Sequence, residues 1–120
     1  MSGELPTPAG RVLAADLLAI AMDHEPLPPD EVDAGAPTTA VVELGALGGV
    51  DVGIWEMTEG VARDTEADEI FIVLSGAGRV DFADGTSVPL AAGTAVLLYA
   101  GEQTRWTITE PLRKVYVAVT

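Results

Sequence analysis

Short apolar or alternating runs, separated by turn residues, occupy most of the chain from residue 40 onward. They predict strands, because the side chains of a strand point alternately to its two faces. The predicted strands cover residues 40–44, 50–57, 69–75, 78–83, 87–91, 94–99, 103–109 and 113–119. Short strands at this spacing are typical of a sandwich or of a jelly roll closed into a small barrel. The fold class is therefore predicted to be all-β and antiparallel.

One turn in this pattern has a specific residue signal. Asp84-Gly85 separates two apolar runs and predicts a two-residue hairpin loop of type I′, because both residues tolerate positive φ. Gly76 and Gly78 predict a bend between two further strands.

The N-terminal third of the chain does not show this pattern of short alternating runs. Residues 1–10 contain two prolines and no periodic pattern, which predicts a mobile arm. Apolar positions within residues 12–20 fit a helical spacing weakly, and a short strand is equally open. Residues 24–37 contain four prolines and predict an extended wrapping loop. We expect residues 1–39 to form this arm and loop, and residues 40–120 to form a β-barrel.

Composition narrows the class of protein. A chain of 120 residues, 48% of them hydrophobic, forms one domain with a real core. A net charge of −13 repels phosphate backbones and anionic lipids, so neither nucleic acid nor a membrane is expected as a partner. The absence of cysteine excludes disulfides and thiolate chemistry and leaves a cytoplasmic location as the default. Asp16 interrupts the apolar stretch 12–22, so a signal peptide is not expected.

Two spaced motifs carry a family resemblance. The first is Gly53–Gly60 followed by Glu66–Gly76, and the second is Ala92–Gly101 followed by Trp106. In this order they resemble the motifs of small single-domain cupins, the group that includes the cupin domain of ureidoglycine aminohydrolase. The resemblance covers Val50–Val119. It implies a jelly-roll barrel and a homodimer with its contact around residues 40–44, and most such small cupins have no assigned reaction.

The resemblance also bears on metal binding. Metal-containing cupins have a His-x-His pair, a Glu on the next strand and a later His. Here Glu69 matches the Glu, but residues 63–65 read Arg-Asp-Thr and the late position is Thr104. The one histidine, His24, lies outside both motifs. Since a first-row transition metal prefers several imidazoles, we expect neither a metal nor another cofactor.

Glu69 is the candidate catalytic residue. Strand alternation points it into the barrel, where a carboxylate orients a ligand, transfers a proton, or pairs with a cation for stability. Arg63, Arg79 and Arg105 are the cations considered as partners. The predicted ligand site comprises Glu69, Arg63, Trp55, Thr104, Trp106 and Tyr116. For the two tryptophans, core packing and pocket lining are both open.

Other polar groups are interpreted as structural. The acidic run containing Glu66, Asp68 and Glu69 is expected to be a solvated turn rather than a calcium or magnesium site. His24 is expected to be a solvated loop residue. Ser75 and Ser87 have no histidine base in their motifs, which excludes a serine nucleophile.

Three functions stay open at this point. The leading hypothesis is a metal-free module that binds a small organic ligand inside the barrel. The second is a small cupin enzyme of isomerase, lyase or aminohydrolase type, with Glu69 as acid or base and Arg63 or Tyr116 as electrostatic helper. The third is a structural or interaction domain whose barrel is filled.

Overall fold

The computed structural model describes residues 10–120, and nearly all of their regular structure is β-strand. The strands are β1 (Glu25–Pro26), β2 (Val32–Ala34), β3 (Thr38–Leu47), β4 (Val50–Met57), β5 (Gly60–Thr65), β6 (Glu69–Phe82), β7 (Ser87–Ala91), β8 (Ala95–Leu98) and β9 (Gln103–Val119). One short 3-10 helix, Pro29–Glu31, precedes β2. All strand pairs in this part of the chain are antiparallel, so the predicted all-β antiparallel fold is confirmed.

The long strand β9 organises the sheet. Along one side it pairs with β6 over nearly its whole length. Along the other side its first half pairs with β5 and its second half with β4. Strand β3 extends the sheet beyond β4, β2 lies beside β5, and β7 and β8 both pair with β6. Because β9 is shared by these strands, the sheet curls into a half-barrel.

The hydrophobic core fills the concave side of this sheet. Inward positions alternate along each strand, as in Phe71 and Val73 on β6, which are almost completely buried. The buried cluster comprises Met57, Ala62, Phe71, Val73, Val80, Leu90, Val96, Leu98, Trp106, Ile108 and Leu112. Full burial of one such large side chain contributes about 1.5–3 kcal/mol, so this cluster is the main source of stability.

Some strand boundaries differ from the prediction. The predicted pairs 69–75 with 78–83 and 103–109 with 113–119 each form a single strand, β6 and β9. Their ladder is irregular between Val73 and Gly78, which marks bulges where the sequence indicated a turn. Strand β5 was not predicted, because its charged residues obscure the apolar alternation.

The hairpin between β6 and β7 also differs. Its loop has three residues, Ala83 to Gly85, because the Phe82 N–H donates to the Thr86 carbonyl at 2.8 Å. The Gly85 N–H donates to the Phe82 carbonyl at 3.0 Å, and Gly85 has φ +93°. This is the arrangement of a three-residue loop with a glycine bulge, so the predicted two-residue type I′ loop is wrong. The Asp-Gly signal located the turn but not its length.

The N-terminal segment contains neither of the two elements left open for it. Residues 11–24 have no helix or strand and run along the outside of the sheet. Leu13 lies beside Gly45 of β3, and the Leu17 carbonyl accepts a hydrogen bond from Arg113 of β9 at 2.9 Å. Of the arm predicted for residues 1–10, all but Gly10 lies outside the described residues. Across residues 10–120, no helix has the length and apolar character needed to cross a membrane.

His24 fastens this segment and is not a solvated loop residue. Its Nε2 lies 2.7 Å from Glu56 Oε1, and its Nδ1 lies 2.9 Å from Thr38 Oγ1. Arg113 donates to the other oxygen of Glu56 at 2.6 Å. Burial alone would raise the pKa of Glu56, but the hydrogen bonds from Arg113 and His24 outweigh it and hold that pKa below its usual value. The prediction for His24 failed because these partners are distant in sequence.

Gly76 offers a test of the bulged contact between β6 and β9. Gly76 and Gly85 both have φ +93°, but a Cβ on Gly76 would meet the backbone of Pro111 and Leu112, whereas one on Gly85 would meet nothing. We expect Gly85→Ala to lower the free energy of unfolding by about 1–2 kcal/mol, the cost of the left-handed conformation alone. Gly76→Ala should cost at least about 2 kcal/mol more, because the clash is with backbone that cannot move aside.

Urea unfolding of both variants measures this difference, and Gly85→Ala serves as the control for backbone strain. Equal losses in the two variants would show that β6 and β9 do not approach as closely as described.

Candidate functional site

Strands β4, β5, β6 and β9 present polar and aromatic side chains to one cavity. In the registers of β4, β9 and β6, Trp55 pairs with Lys114, and Tyr116 pairs with both Gly53 and Phe71. The cavity has a volume of about 180 Å³. Its lining residues are Val41, Trp55, Asp64, Glu66, Glu69, Trp106, Lys114 and Tyr116.

An ion pair stands at the centre of this group. Lys114 Nζ donates to Glu69 Oε2 at 2.7 Å, and the two side chains are only 6% and 14% exposed. The ammonium also lies 4.3–4.7 Å from the ring centroids of Phe71, Trp55 and Trp106. Aromatic faces attract a cation, so the rings and the carboxylate together stabilise a charge that burial would otherwise disfavour. None of the three arginines considered as partners of Glu69 makes this contact, because Arg63 and Arg105 pair with Asp33 and Arg79 with Asp81.

Glu66 forms a second buried polar group beside the first. Its Oε2 accepts hydrogen bonds from Thr104 Oγ1 at 2.5 Å and from Trp106 Nε1 at 3.0 Å. Glu66 is 8% exposed, so it does not belong to a solvated turn as predicted. Its hydrogen bonds hold the indole of Trp106 in one orientation against the cavity.

Asp64 lies at the edge of the cavity, next to Glu66. Burial of its carboxyl, reinforced by the negative charge of Glu66, raises its pKa to about 6. The Thr65 N–H, which donates to Asp64 Oδ1 at 2.8 Å, opposes this rise without cancelling it. One side of Asp64 is open to solvent, so protons can reach this group from outside.

Tyr116 lies across Gly53 on the neighbouring strand. A Cβ on Gly53 would collide with the phenol oxygen and ring of Tyr116, so this ring position requires glycine. Burial raises the pKa of the Tyr116 phenol, and the nearby charges of Glu43 and Glu69 raise it further. The phenol is therefore neutral at physiological pH and able to donate a hydrogen bond.

The structure brings together most of the residues predicted for the ligand site. Glu69, Trp55, Trp106 and Tyr116 all line the cavity, and Thr104 adjoins it through its bond to Glu66. Trp106 packs in the core and lines the cavity, so both alternatives left open for it apply. Trp55 is half-buried against the same core.

Arg63 does not join this group. Its Nε donates to Asp33 Oδ1 at 3.0 Å, and Arg105, its cross-strand neighbour, holds the other oxygen of Asp33 at 3.1 Å. On either side of Arg63, Ala62 packs in the core and Asp64 lines this cavity. The alignment of this strand with the cupin motif was therefore off by one residue. In a strand, a shift of one residue exchanges the inward-facing and outward-facing side chains.

Lys114, Glu66 and Asp64 were missed from the site. Lys114 is the only lysine in the chain, and it shares the inward alternation of Leu112 and Tyr116. A single lysine at an inward-facing strand position could have been recognised from the sequence as a candidate site residue. Nothing comparable marks Glu66, because its partners Thr104 and Trp106 come from a strand almost forty residues away.

A curled antiparallel sheet with a polar and aromatic cavity between its inner strands is the architecture of the cupin class. The model of the EutQ-like cupin domain matches residues 44–116, more than half of the chain. The chain belongs to the EutQ-like cupin family.

Solved structures with the same fold extend this result. A putative ethanolamine utilization protein Q from Salmonella typhimurium is 21% identical, with a TM-score of 0.61 over 68% of this chain and 69% of the other. A protein of unknown function from Pseudomonas syringae is 21% identical, with a TM-score of 0.73 over 87% of this chain but only 46% of the other. An ectoine synthase from P. lautus is 16% identical, with a TM-score of 0.59 over 75% of this chain and 68% of the other. At these identities the likeness shows the fold alone. No curated protein matches the sequence significantly.

The residues of this cavity do not fit the metal ion that cupin motifs hold in other proteins. Among residues 10–120, no three His, Asp or Glu side chains are arranged to hold an ion. His24 is bound on the outer side to Glu56, and the carboxylate of Glu69 already accepts from an ammonium. A divalent cation at Glu69 would stand next to the charge of Lys114, which repels it.

The buried ion pair between Lys114 and Glu69 predicts how single and double substitutions change the free energy of unfolding. We expect Lys114→Met to cost about 3–5 kcal/mol, because it leaves the carboxylate of Glu69 buried without its cation. The double variant Lys114→Met with Glu69→Gln should recover most of that loss. Urea unfolding of the two variants tests this.

The exposed pair Arg79–Asp81 provides the control, since Arg79 is 55% exposed. Arg79→Met should change stability by no more than about 1 kcal/mol. A similar small effect for Lys114→Met would contradict the buried pair.

Asp64 predicts a dependence of stability on pH. The pKa of an aspartate is 3.8 when unperturbed and rises to about 6 here, so between these values the folded state keeps a proton that the unfolded state loses. The contribution of Asp64 to stability therefore falls as the pH rises from about 4 to about 6 and then stays constant. Asp64→Asn should remove this part of the pH dependence.

Carbon-13 NMR titration of the aspartate carboxyls should give a midpoint of about 6 for Asp64. Glu66→Gln should lower that midpoint, because it removes a neighbouring negative charge. An Asp64 midpoint near 4 in the unsubstituted protein would refute this account.

Proposed function

We propose that the protein binds a small organic molecule in the cavity between β4, β6 and β9, without a metal ion. The observation that carries this proposal is the ammonium of Lys114 at the cavity wall. Its one hydrogen-bonding partner in residues 10–120 is Glu69, although an ammonium has three N–H groups. A ligand oxygen or other acceptor that enters the cavity can accept hydrogen bonds from the remaining N–H groups of Lys114.

The cavity sets the size of the ligand. A cavity of about 150 Å³ holds one benzene molecule, so a volume of about 180 Å³ suits a molecule slightly larger than benzene. Trp55, Trp106 and Tyr116 supply aromatic surface against an apolar part of such a ligand.

The charges in the cavity favour one class of ligand. Asp64, Glu66 and Glu69 contribute three carboxyl groups against the one ammonium of Lys114. An anionic ligand would enter against this excess of negative charge and against the net charge of −13 of the chain. We therefore propose a neutral or cationic molecule with at least one hydrogen-bond acceptor.

The structure bears differently on the two other functions that the sequence left open, a filled structural barrel and an acid–base enzyme. A filled barrel is not supported, because the cavity reaches Glu69 and Lys114. An acid–base enzyme is favoured by one observation, the pKa of about 6 for Asp64 at the cavity edge. In that function Asp64 would transfer the proton rather than Glu69, whose carboxylate is held by Lys114. The narrower resemblance to ureidoglycine aminohydrolase and the cytoplasmic location stay predictions.

Selective labelling tests the binding proposal directly. Because Lys114 is the only lysine, protein labelled with ¹⁵N at lysine Nζ gives a single side-chain signal from the cavity. We expect some neutral or cationic members of a panel of small organic compounds to shift this signal and the fluorescence of Trp55 and Trp106. Carboxylates of matched size should not.

The double variant Lys114→Met with Glu69→Gln should weaken binding of those compounds at least tenfold, measured by tryptophan fluorescence. Arg79→Met with Asp81→Asn removes an ion pair outside the cavity and should leave binding unchanged. The proposal is overturned if no compound shifts the Lys114 signal, or if both double variants bind equally well.

A further inference from the structure

Lys114 places the only lysine amine of the chain in an enclosed aromatic site. Its side chain is 6% exposed, and its Nζ lies 4.7 Å from the ring centroids of both Trp55 and Trp106. The two indoles lie 5.3 Å apart and line the cavity together with the lysine. A primary amine becomes a nucleophile when it loses a proton, and lysines in such desolvated sites form Schiff bases with carbonyl compounds.

Glu69 is placed to take that proton. Its Oε2 accepts the hydrogen bond from Lys114 Nζ at 2.7 Å, which is the distance required of a general base. The side chain of Glu69 is 14% exposed, so bulk water has little access to the pair. A proton can therefore move between the amine and the carboxylate without passing through solvent.

Tyr116 supplies a hydrogen-bond donor on the same strand face. It lies two residues after Lys114 on β9 and lines the same cavity. Positions two apart on a strand are separated by about 7 Å, so a small carbonyl compound between them is within reach of both side chains. Burial raises the pKa of the Tyr116 phenol, which therefore keeps its proton. A hydrogen bond from the phenol to a carbonyl oxygen makes the carbonyl carbon more electrophilic.

We propose that Lys114 forms a Schiff base with a small aldehyde bound in the cavity. This inference rests on the proposed binding function and specifies it, since the acceptor of the ligand becomes a carbonyl oxygen and the bound state becomes covalent. An aldehyde is neutral and carries one acceptor, as the charges of the cavity require. A volume of about 180 Å³ suits an aldehyde about as large as benzaldehyde.

The covalent step balances within the cavity. Glu69 takes one proton from the ammonium, and the lone pair of the resulting amine forms a bond to the carbonyl carbon. The oxygen receives the π electrons and takes the proton from Glu69, which then removes a second proton from the nitrogen and leaves a neutral carbinolamine. Glu69 returns that proton to the hydroxyl group, the C–O bond breaks to release water, and the nitrogen lone pair forms the C=N bond. Ammonium and aldehyde thus become a protonated imine and water, with no net change in protons or oxidation state.

The surroundings of Lys114 stabilise this product as they stabilise the free side chain. The protonated imine carries the same single positive charge on the same nitrogen, so the carboxylate of Glu69 and the rings of Trp55 and Trp106 continue to face a cation. Adduct formation therefore buries no new charge. Hydrolysis of the imine requires water at the C=N bond, and the enclosed position of Nζ restricts that access.

Reductive trapping tests the covalent step. Sodium cyanoborohydride reduces a protonated imine to a stable secondary amine, and mass spectrometry of peptides identifies the residue that carries it. We expect the intact protein, incubated with benzaldehyde at neutral pH, to acquire one benzyl group on Lys114. In urea, where the cavity is lost, this reaction should slow at least about tenfold.

Arg79→Lys is the matched control. Arg79 is 55% exposed beside Asp81, so this variant carries a second lysine next to a carboxylate but without an aromatic cavity. Circular dichroism checks that the variant folds. Within the same molecules, Lys114 should acquire the benzyl group at least about tenfold faster than position 79, because an exposed amine stays hydrated and protonated.

Benzamide separates this inference from the binding proposal. It has nearly the size of benzaldehyde and also carries a carbonyl acceptor, but it forms no imine, so it should shift the ¹⁵N signal of Lys114 without any adduct. If both compounds shift the signal and benzaldehyde leaves no adduct on Lys114, the covalent step is wrong and the binding proposal stands. Equal rates at Lys114 and position 79 would also overturn the covalent step, since they would reflect ordinary lysine reactivity. If neither compound shifts the signal and no adduct forms, both proposals fail for this class of ligand.

Discussion

The buried ammonium of Lys114 is the constraint on which the rest of the site depends. A charge in the interior is costly unless a counter-charge and favourable dipoles surround it, so Glu69 and the three rings must all be present together. This requirement favours one register between β9 and its neighbouring strands. A slip of one residue between β9 and its neighbours would turn Lys114 to the outer face and leave Glu69 buried alone.

The same alternation separates two surfaces with opposite character. Along the end of β9, Lys114 and Tyr116 point to the cavity, while Val115 and Val117 point outward. At this end of the sheet the polar side chains are therefore inside and many aliphatic ones are outside, the reverse of a simple soluble strand.

Sequence patterns were sufficient for the fold and for part of the site. Runs of alternating residues located most strands, and the cupin motifs brought Glu69, Trp55 and Trp106 to one cavity. They failed where a local rule competes with distant contacts. Gly76 looked like a turn because its role, a close approach to Pro111, is invisible in sequence. Arg63 was placed inside because a motif with substituted residues does not fix its register to better than one position.

The buried lysine defines what this cavity is able to do chemically. An ammonium is attached to the chain, so its position is set by folding and does not depend on the supply of a metal. It offers directional N–H donors rather than open coordination positions. The proposed recognition of a ligand therefore rests on hydrogen bonding and on the surrounding aromatic surface. In the proposed binding function, the carboxylates of Glu66 and Asp64 favour a neutral or cationic ligand over an anionic one.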